Sequence, residues 1–364
     1  MNELTYKQLY IMVFFIPLVF KMSALPALLY EMASVTSYIL IAIVVTVEFL
    51  QMGVVLAVAN LGGMESIKEK YGTKVYILLS IPLIFVIFVK MAVFVQEIVY
   101  YICSFLFYNI PEAGVMIALM LVIFYLAVKG IKAIGRLYEI AIWIIPIIIA
   151  FGLFFGEAKF TEIYLTPIFN ENLTVYTSAL GKYLIYAFDF SPLLFVRVKV
   201  KKVFPIAICS LFSVAAVTIC YMFLYSAYGN ASFLANFGFA RLGTFNTVVS
   251  EIGSLDWPSS LLWLCTAILS LSFKLNAVNC FMNACKLKKA GTAVFSSGIV
   301  ILLLVIFKNL IKGIQFATSG IQYAVFACEV AVPIIALALH LFKIKKENKS
   351  NSELNPVEVK DYAS

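Results

Sequence analysis

The feature that most constrains this chain is a series of long apolar runs separated by short basic segments. A helix needs about 20 predominantly apolar residues to cross the hydrocarbon core of a bilayer. On that criterion we predict about ten membrane-spanning helices, at residues 9–30, 37–60, 75–106, 113–129, 138–156, 180–196, 203–228, 259–282, 291–307 and 320–342. The sequence therefore predicts an all-α integral membrane protein whose single transmembrane domain covers residues 1–342.

The composition agrees with this class and excludes a soluble one. Hydrophobic residues make up 63% of the chain and charged residues 13%, and the mean hydropathy is +1.01. A soluble domain is about a quarter charged. Only residues 343–364 are strongly polar, and we predict that they form a disordered cytoplasmic tail. The net charge of +8 does not indicate nucleic-acid binding, because the basic residues lie in short clusters between apolar runs.

The basic residues also indicate how the helices are oriented. Cytoplasmic loops of membrane proteins carry an excess of Lys and Arg. One set of connections has only Lys159, Arg241, Lys308 and Lys312, with Lys182 at the start of the sixth span. We assign the other set, together with both termini, to the cytoplasm; its basic residues are Lys68, Lys70, Lys74, Lys129, Lys132, Arg136, Arg197, Lys199, Lys201, Lys202, Lys286, Lys288, Lys289, Lys343, Lys345, Lys346 and Lys349.

Ionisable side chains inside the predicted spans are the first candidates for function. A charge at the centre of a membrane helix costs roughly 2.5–3.5 kcal/mol on insertion scales, so such residues face a protein interior or a water-filled cavity. They are either structural ion pairs between helices or parts of a coupling or binding site, and both interpretations stay open here. The residues are Lys21, Glu48, Lys90, Glu97, Asp189, Lys274 and Glu329.

Two predicted spans contain sequences that interrupt a helix. The sixth has Asp189 and Pro192 within residues 188–192, and the first has Pro17 and then residues 21–26, which end in Pro26. Proline removes a backbone donor and clashes with the preceding turn, and freed backbone groups at membrane depth must line a cavity or bind something. Ordinary proline kinks are the alternative. The candidate substrate-binding residues are Ser23, Ala24, Leu25, Phe188, Asp189, Phe190 and Ser191.

Spans one and six hold equivalent positions in two halves of five helices, at about residues 9–156 and 180–342. Interrupted helices at corresponding positions of two halves indicate a transporter site built from inverted repeats.

Patterns that support catalysis are not found in the sequence. His340 is the only histidine, and there is no zinc-protease, phosphate-binding-loop or hydrolase nucleophile motif. The seven cysteines do not have the spacing of metal ligands. We therefore expect no enzymatic activity, no cofactor and no metal site.

Three stretches of the sequence resemble a known family. They are KGIKAIGRLYEI at 129–140, running into an Ile-rich span; the sixth span leading to VKVKK at 198–202; and the segment containing Arg241, Phe245, Val249, Ile252, Leu255, Asp256, Trp263 and Lys274. Over nearly its whole length the chain resembles the B subunits of bacterial spore germinant receptors, a branch of the amino acid–polyamine–organocation transporter superfamily.

This resemblance implies a LeuT-like fold of two inverted five-helix repeats with broken helices 1 and 6. It also implies a small-molecule site between spans one, three, six and eight, a location in the bacterial inner spore membrane, and partner receptor subunits. Superfamily transporters commonly have glycine at these breaks, whereas this chain has Lys21 to Ala24 and Asp189. Lys21 is therefore expected to supply a positive charge to the substrate, to act as a counter-ion for Asp189 or Glu48, or to replace a bound sodium ion.

Two functions follow from the resemblance, and a third from the charges alone. The chain is either a sensor that binds an amino acid or similar nutrient and signals spore germination with its partners, or a working amino acid permease, proton-coupled or uncoupled. If the buried charges only pair with one another, it is a structural or assembly subunit.

Overall fold

The computed structural model of the chain describes residues 3–107, 110–155, 165, 172–198, 202–234, 236–239, 256–286, 297, 299 and 319–354. Six segments within these residues are long and apolar enough to cross a membrane: Leu25–Asn60, Thr73–Leu106, Glu112–Lys129, Phe204–Leu234, Ser260–Ala284 and Ile321–Phe342. The chain is accordingly a helical, multi-pass membrane protein.

Eleven α-helices form the described part of the chain. They are α1 (Tyr6–Lys21), α2 (Leu25–Ala33), α3 (Ser37–Asn60), α4 (Gly63–Tyr71), α5 (Thr73–Tyr101), α6 (Glu112–Lys129), α7 (Ile131–Phe155), α8 (Leu173–Lys182), α9 (Phe204–Tyr228), α10 (Asp256–Ala284) and α11 (Ile321–Leu354). Short 3₁₀ segments occupy Ser34–Thr36, Leu184–Tyr186, Ser191–Phe195 and Gly229–Leu234, and a π-helical turn at Ile102–Leu106 extends α5. Two short strands, β1 (Glu3–Leu4) and β2 (Arg197–Val198), pair in parallel.

Most predicted spans coincide with helices. The second is α3, with the predicted bounds, and the third, fourth, seventh and eighth match α5 with its π turn, α6, α9 and α10 within a few residues. The fifth lies within α7 apart from its last residue. The ninth predicted span, 291–307, lies outside the described residues except at 297 and 299.

The first predicted span is interrupted as the sequence indicates. α1 ends at Lys21 and α2 begins at Leu25, so residues 22–24 separate two helices. Pro26 lies in the first turn of α2, where its missing N–H costs no helical hydrogen bond and its fixed φ favours the helix. Pro17, by contrast, is accommodated inside α1. The second proline therefore marks the start of a new helix after the break.

The sixth predicted span, 180–196, is interrupted as the sequence indicates, but over a longer stretch than residues 188–192. α8 ends at Lys182, and the chain continues through two 3₁₀ segments with residues 187–190 between them. Phe188 has a φ of 64°, in the left-handed region that interrupts a right-handed helix. Pro192 lies at the start of the second 3₁₀ segment and has no N–H to continue a helical ladder.

The prediction of disorder for the polar tail is also wrong for its first part. α11 continues from the last span to Leu354. Residues 343–354 contain no Gly or Pro, and extending an existing helix avoids the unfavourable nucleation step. The last ten residues, 355–364, lie outside the described part.

The helices bury the two breaks and turn apolar side chains outward. α10 packs against α5, α6 and α7, while α3 and α5 both contact α11, and the Ser191–Phe195 segment lies against α3, α5 and α10. Leu50, Leu78 and Leu211 on the outer faces of α3, α5 and α9 are 70%, 73% and 70% exposed. Such surfaces are suited to contact with lipid. The interrupted segments, by contrast, are buried in the protein interior, where their backbone groups can find partners.

One glycine allows α4 to approach the second 3₁₀ segment of the sixth span. Gly63 has a φ of 63°, and a Cβ atom there would lie 2.7 Å from the carbonyl oxygen of Leu194. A side chain at this position would therefore combine backbone strain with a clash against a backbone atom. Gly53, inside α3, has no neighbouring atom within 4 Å of such a Cβ and serves as a matched control.

We predict that Gly63→Ala destabilises the protein by at least about 1–2 kcal/mol, the cost of a left-handed non-glycine residue. Gly53→Ala should instead be neutral or stabilise by up to about 1 kcal/mol, because alanine favours a helix interior. Apparent melting temperatures of both variants in the same detergent give the comparison. Equal melting temperatures would contradict the close approach of α4 to Leu194.

Candidate functional site

Asp189 lies at the centre of a buried ion-pair network. Its Oδ1 is 3.0 Å from Nζ of Lys274 and 3.7 Å from Nζ of Lys90, and its Oδ2 is 3.5 Å from Nζ of Lys21. Asp189 is 1% exposed. A single carboxylate thus faces three ammonium groups, each from a different helix.

Two further carboxylates balance the remaining positive charge. Glu48 Oε2 lies 2.6 Å from Lys21 Nζ, and Glu329 Oε2 lies 2.9 Å from Lys90 Nζ. The six residues, all no more than 1% exposed, come from α1, α3, α5, the break in the sixth span, α10 and α11. We call them the charge network: Lys21, Glu48, Lys90, Asp189, Lys274 and Glu329. With three lysines and three carboxylates it is neutral overall, which makes the burial of each charge tolerable.

The charge network also satisfies backbone groups that the sixth-span break leaves without helical partners. Lys90 Nζ donates to the carbonyl oxygens of Ala187 and of Phe188, the latter at 3.2 Å. The N–H of Asp189 donates to Glu48 Oε1 at 2.8 Å. Because backbone groups at membrane depth require partners, these contacts explain how the irregular segment is stable there.

Neutral donors serve the break in the first span. The indole Nε1 of Trp263 donates to the carbonyl of Val19 at 3.0 Å, and the Tyr221 hydroxyl donates to the carbonyl of Lys21 at 2.5 Å. Ser23 Oγ donates to the Phe20 carbonyl at 2.7 Å. The two breaks therefore differ in chemistry, since the first is held by hydroxyl and indole groups and the second by ions.

The predicted binding residues line these two breaks and are all buried. Ser23, Ala24 and Leu25 lie where α1 ends and α2 begins. In the sixth span, Ser191 Oγ donates to Glu329 Oε1 at 3.2 Å and so joins the charge network. The rings of Phe188 and Phe190 pack against aromatic rings of other helices, those of Phe326 and Phe49.

Of the seven ionisable residues predicted inside the spans, Glu97 is the one that lies outside the charge network. It is 1% exposed, and the hydroxyl of Tyr186 donates to its Oε1. Among the described residues no Lys, Arg or His lies within salt-bridge distance of Glu97, and its Oε2 has no hydrogen-bond partner. Glu97 therefore forms a second polar site beside the first.

Two aromatic side chains at the site, Phe20 and Phe94, were not identified from the sequence. Phe20 and Phe94 stack with their ring centroids 3.5 Å apart, and Lys274 Nζ lies 4.7 Å from the Phe20 centroid. Such cation–π contact helps hold an ammonium group away from water. With aromatic residues at 15% of the chain, composition does not distinguish these two. The spacing of Lys90, Phe94 and Glu97 places them on one face of α5, a signal that sequence analysis can use.

Ligand groups for a metal ion are not assembled in this region. In the part of the chain that the structure describes, no three or more His, Cys, Asp or Glu side chains are placed to hold a metal. The carboxylates at the site are instead directed at lysines.

Comparison of the chain with protein-family models and with curated proteins finds no match.

We predict that Asp189→Asn destabilises the protein by about 3–5 kcal/mol, because it leaves three buried lysines facing two carboxylates. Lys274→Met should also destabilise, since it leaves one carboxylate in excess. The double variant is neutral again and should lose much less stability than the sum of the two single changes. A double-mutant cycle of apparent melting temperatures measures this coupling, and simple additivity would show that the two charges do not interact.

Proposed function

We propose that this chain is a transporter-like membrane subunit that binds a small nutrient, in the first instance an amino acid, and signals spore germination together with partner subunits. The observation that carries the proposal is the charge network, which connects an interrupted sixth span to the end of α1 and to four other helices. The resemblance of three sequence stretches to germinant receptor B subunits supplies the biological context.

The proposal includes a LeuT-like architecture of ten spans in two inverted five-helix repeats, with both termini in the cytoplasm of the bacterial cell. The breaks at residues 22–24 and 183–195 support it, because they fall in the first helix of each proposed repeat. The alternation of basic and non-basic connections supports the orientation. In such folds the substrate binds near the bilayer midplane at the interrupted helices.

An amino acid suits a neutral network of buried ion pairs. Its carboxylate can replace Asp189 or Glu48 beside a lysine, while its ammonium can replace a lysine beside a carboxylate. Because the zwitterion adds no net charge, entry does not leave an uncompensated charge in the membrane interior. Any such exchange moves Asp189 and the adjacent backbone, so binding favours a different arrangement of the sixth span, which partner subunits can detect.

Lys90 has the contacts expected of a built-in cation. Its ammonium binds the carbonyls of Ala187 and Phe188 and lies beside the carboxylates of Asp189 and Glu329. A monovalent metal ion would use a similar set of oxygen atoms. The sequence assigned sodium replacement to Lys21, but the contacts favour Lys90 for this role and leave Lys21 as the counter-ion of Glu48 and Asp189.

The alternative is a working permease, proton-coupled or uncoupled, for amino acids. It uses the same site, and the two interrupted spans favour it equally, since interrupted helices serve alternating access in transporters. The two functions differ in what ligand binding drives, a conformational signal in one and movement of the ligand across the membrane in the other.

Binding and uptake measured together distinguish these functions. The purified chain alone is placed in proteoliposomes and tested with a mixture of radiolabelled amino acids, with and without an inward proton gradient. The sensor proposal predicts saturable binding without uptake, whereas saturable uptake establishes the permease. The charge-balanced double variant of Asp189→Asn and Lys274→Met should lose binding, while Ser213→Ala, which removes a hydrogen bond from α9 to the Phe14 carbonyl outside the breaks, should retain it.

We also predict that ligand binding does not require sodium, because Lys90 already occupies the oxygen atoms that the ion would need. Replacing sodium by choline at constant ionic strength should change the affinity less than about twofold, well under the 1.4 kcal/mol that a tenfold change represents. A tenfold or greater loss of affinity in choline would contradict the role assigned to Lys90.

A further inference from the structure

Glu97 differs from the other buried acids in having no cation beside it. Glu48, Asp189 and Glu329 each contact at least one lysine, whereas the described polar neighbours of Glu97 are hydroxyl groups. An isolated carboxylate in an apolar interior is far more costly than a carboxylic acid, which needs no counter-ion. Burial and the missing cation therefore both favour a bound proton.

The hydrogen bonds around Glu97 point to the same state. The Tyr186 hydroxyl donates to Oε1, as it can to the carbonyl oxygen of a carboxylic acid. The Ser23 hydroxyl lies near the Glu97 side chain, and it donates its own proton to the Phe20 carbonyl. Ser23 can then only accept from Glu97, and a carboxylate has no proton to offer it. A proton on Oε2, the oxygen that has no hydrogen-bond partner, removes a charge that no cation among its described neighbours compensates.

The position of this carboxyl group gives the proton a structural consequence. Ser23 belongs to the break in the first span, Tyr186 to the first 3₁₀ segment within the break in the sixth, and Glu97 to α5. Glu97 thus lies between the two interrupted segments and is hydrogen-bonded to the second of them through Tyr186. After deprotonation the carboxylate would face the lone pairs of Ser23 and need water, which only separation of the segments can admit.

Other ionisable groups nearby are already engaged or remain neutral. Tyr183 and Tyr221 are the tyrosines that interact electrostatically with Tyr186. Lys90 lies two helical turns from Glu97 on α5, roughly 10 Å along the axis, and is bound to Glu329 and to the sixth-span carbonyls. Lys274, from α10, is directed at Asp189 and the ring of Phe94. In the described part of the chain, none of these forms an ion pair with Glu97.

We propose that Glu97 is a proton-binding site that joins the two helix breaks, and that release of its proton to water accompanies their separation. The step breaks only the Oε2–H bond, and the proton passes to water that enters between the segments. The proposal rests on the proposed function in that it names a proton as the ion coupled to ligand binding at the neighbouring charge network. It assigns that ion to a residue outside the charge network.

Infrared spectroscopy of the purified full chain in bilayers tests the bound proton without any ligand. At neutral pH the wild-type spectrum minus the Glu97→Gln spectrum should contain the C=O stretching band of a protonated carboxyl group. Subtracting Glu112→Gln, which removes an exposed carboxylate at the start of α6, should show no such band. Should Glu97→Gln fail to fold, Tyr186→Phe must shift the wild-type band to higher frequency, because it removes the donated hydrogen bond. Absence of the band, or a band insensitive to both changes, overturns the proposal.

Hydrogen–deuterium exchange tests the coupling. The amide exchange rate in residues 22–28 and 184–190 is measured in the wild type and in Glu97→Gln. The ratio of the two rates is independent of the intrinsic pH dependence of exchange, which is the same for both proteins. If opening releases one proton, this ratio should rise about tenfold per pH unit where exchange reports the open population. A constant ratio shows that Glu97 does not control the breaks. Neither measurement uses a ligand. Failure of amino acid binding would therefore overturn the proposed function without affecting the proton site, and failure of these two tests would overturn the proton site without affecting the proposed function.

Discussion

The neutralisation of buried charge is the constraint on which this structure depends. Electrostatic interactions are strong in a low-dielectric interior, and a lone charge there is prohibitive. Asp189 can occupy an interrupted membrane segment only because lysines from α1, α5 and α10 converge on it, and those lysines need Glu48 and Glu329 in turn. The helices are thus arranged around a set of ions whose mutual positions fix which faces meet.

The two breaks are stabilised in ways that imply different responses. The first is capped by Trp263, Tyr221 and Ser23, neutral groups whose hydrogen bonds do not depend on charge. The second depends on Lys90 and Glu48, so a ligand or proton that alters the charges alters its backbone directly. The sixth span is therefore the element that converts a chemical event into a movement, with the first span following through the contacts it shares with α5.

Sequence reasoning identified the buried charges and both interruptions, because an ionisable residue or a proline in an apolar run is visible without any structure. It did not identify partners, since periodicity defines a helix face but not the helix opposite. For that reason the sequence assigned sodium replacement to Lys21 and did not predict that Glu97 lies outside the charge network. Hydropathy also does not register backbone hydrogen bonding, so the interruption was predicted at residues 188–192 although α8 already ends at Lys182. In the tail, composition indicated disorder where continuation of α11 prevails.

The charge network also has a consequence for biosynthesis. Lys21 and Glu48 are close in the chain, but Lys90 precedes Asp189 by 99 residues and Glu329 by 239 (189 − 90 and 329 − 90). At roughly 5–20 residues per second, α5 exists for about 5–20 s before Asp189 is made and for about 12–48 s before Glu329 is made. During that interval the nascent helix carries an unmatched ammonium group. The order of synthesis therefore requires α5 to wait beside the insertion machinery or in hydrated surroundings until α11 brings Glu329 to Lys90.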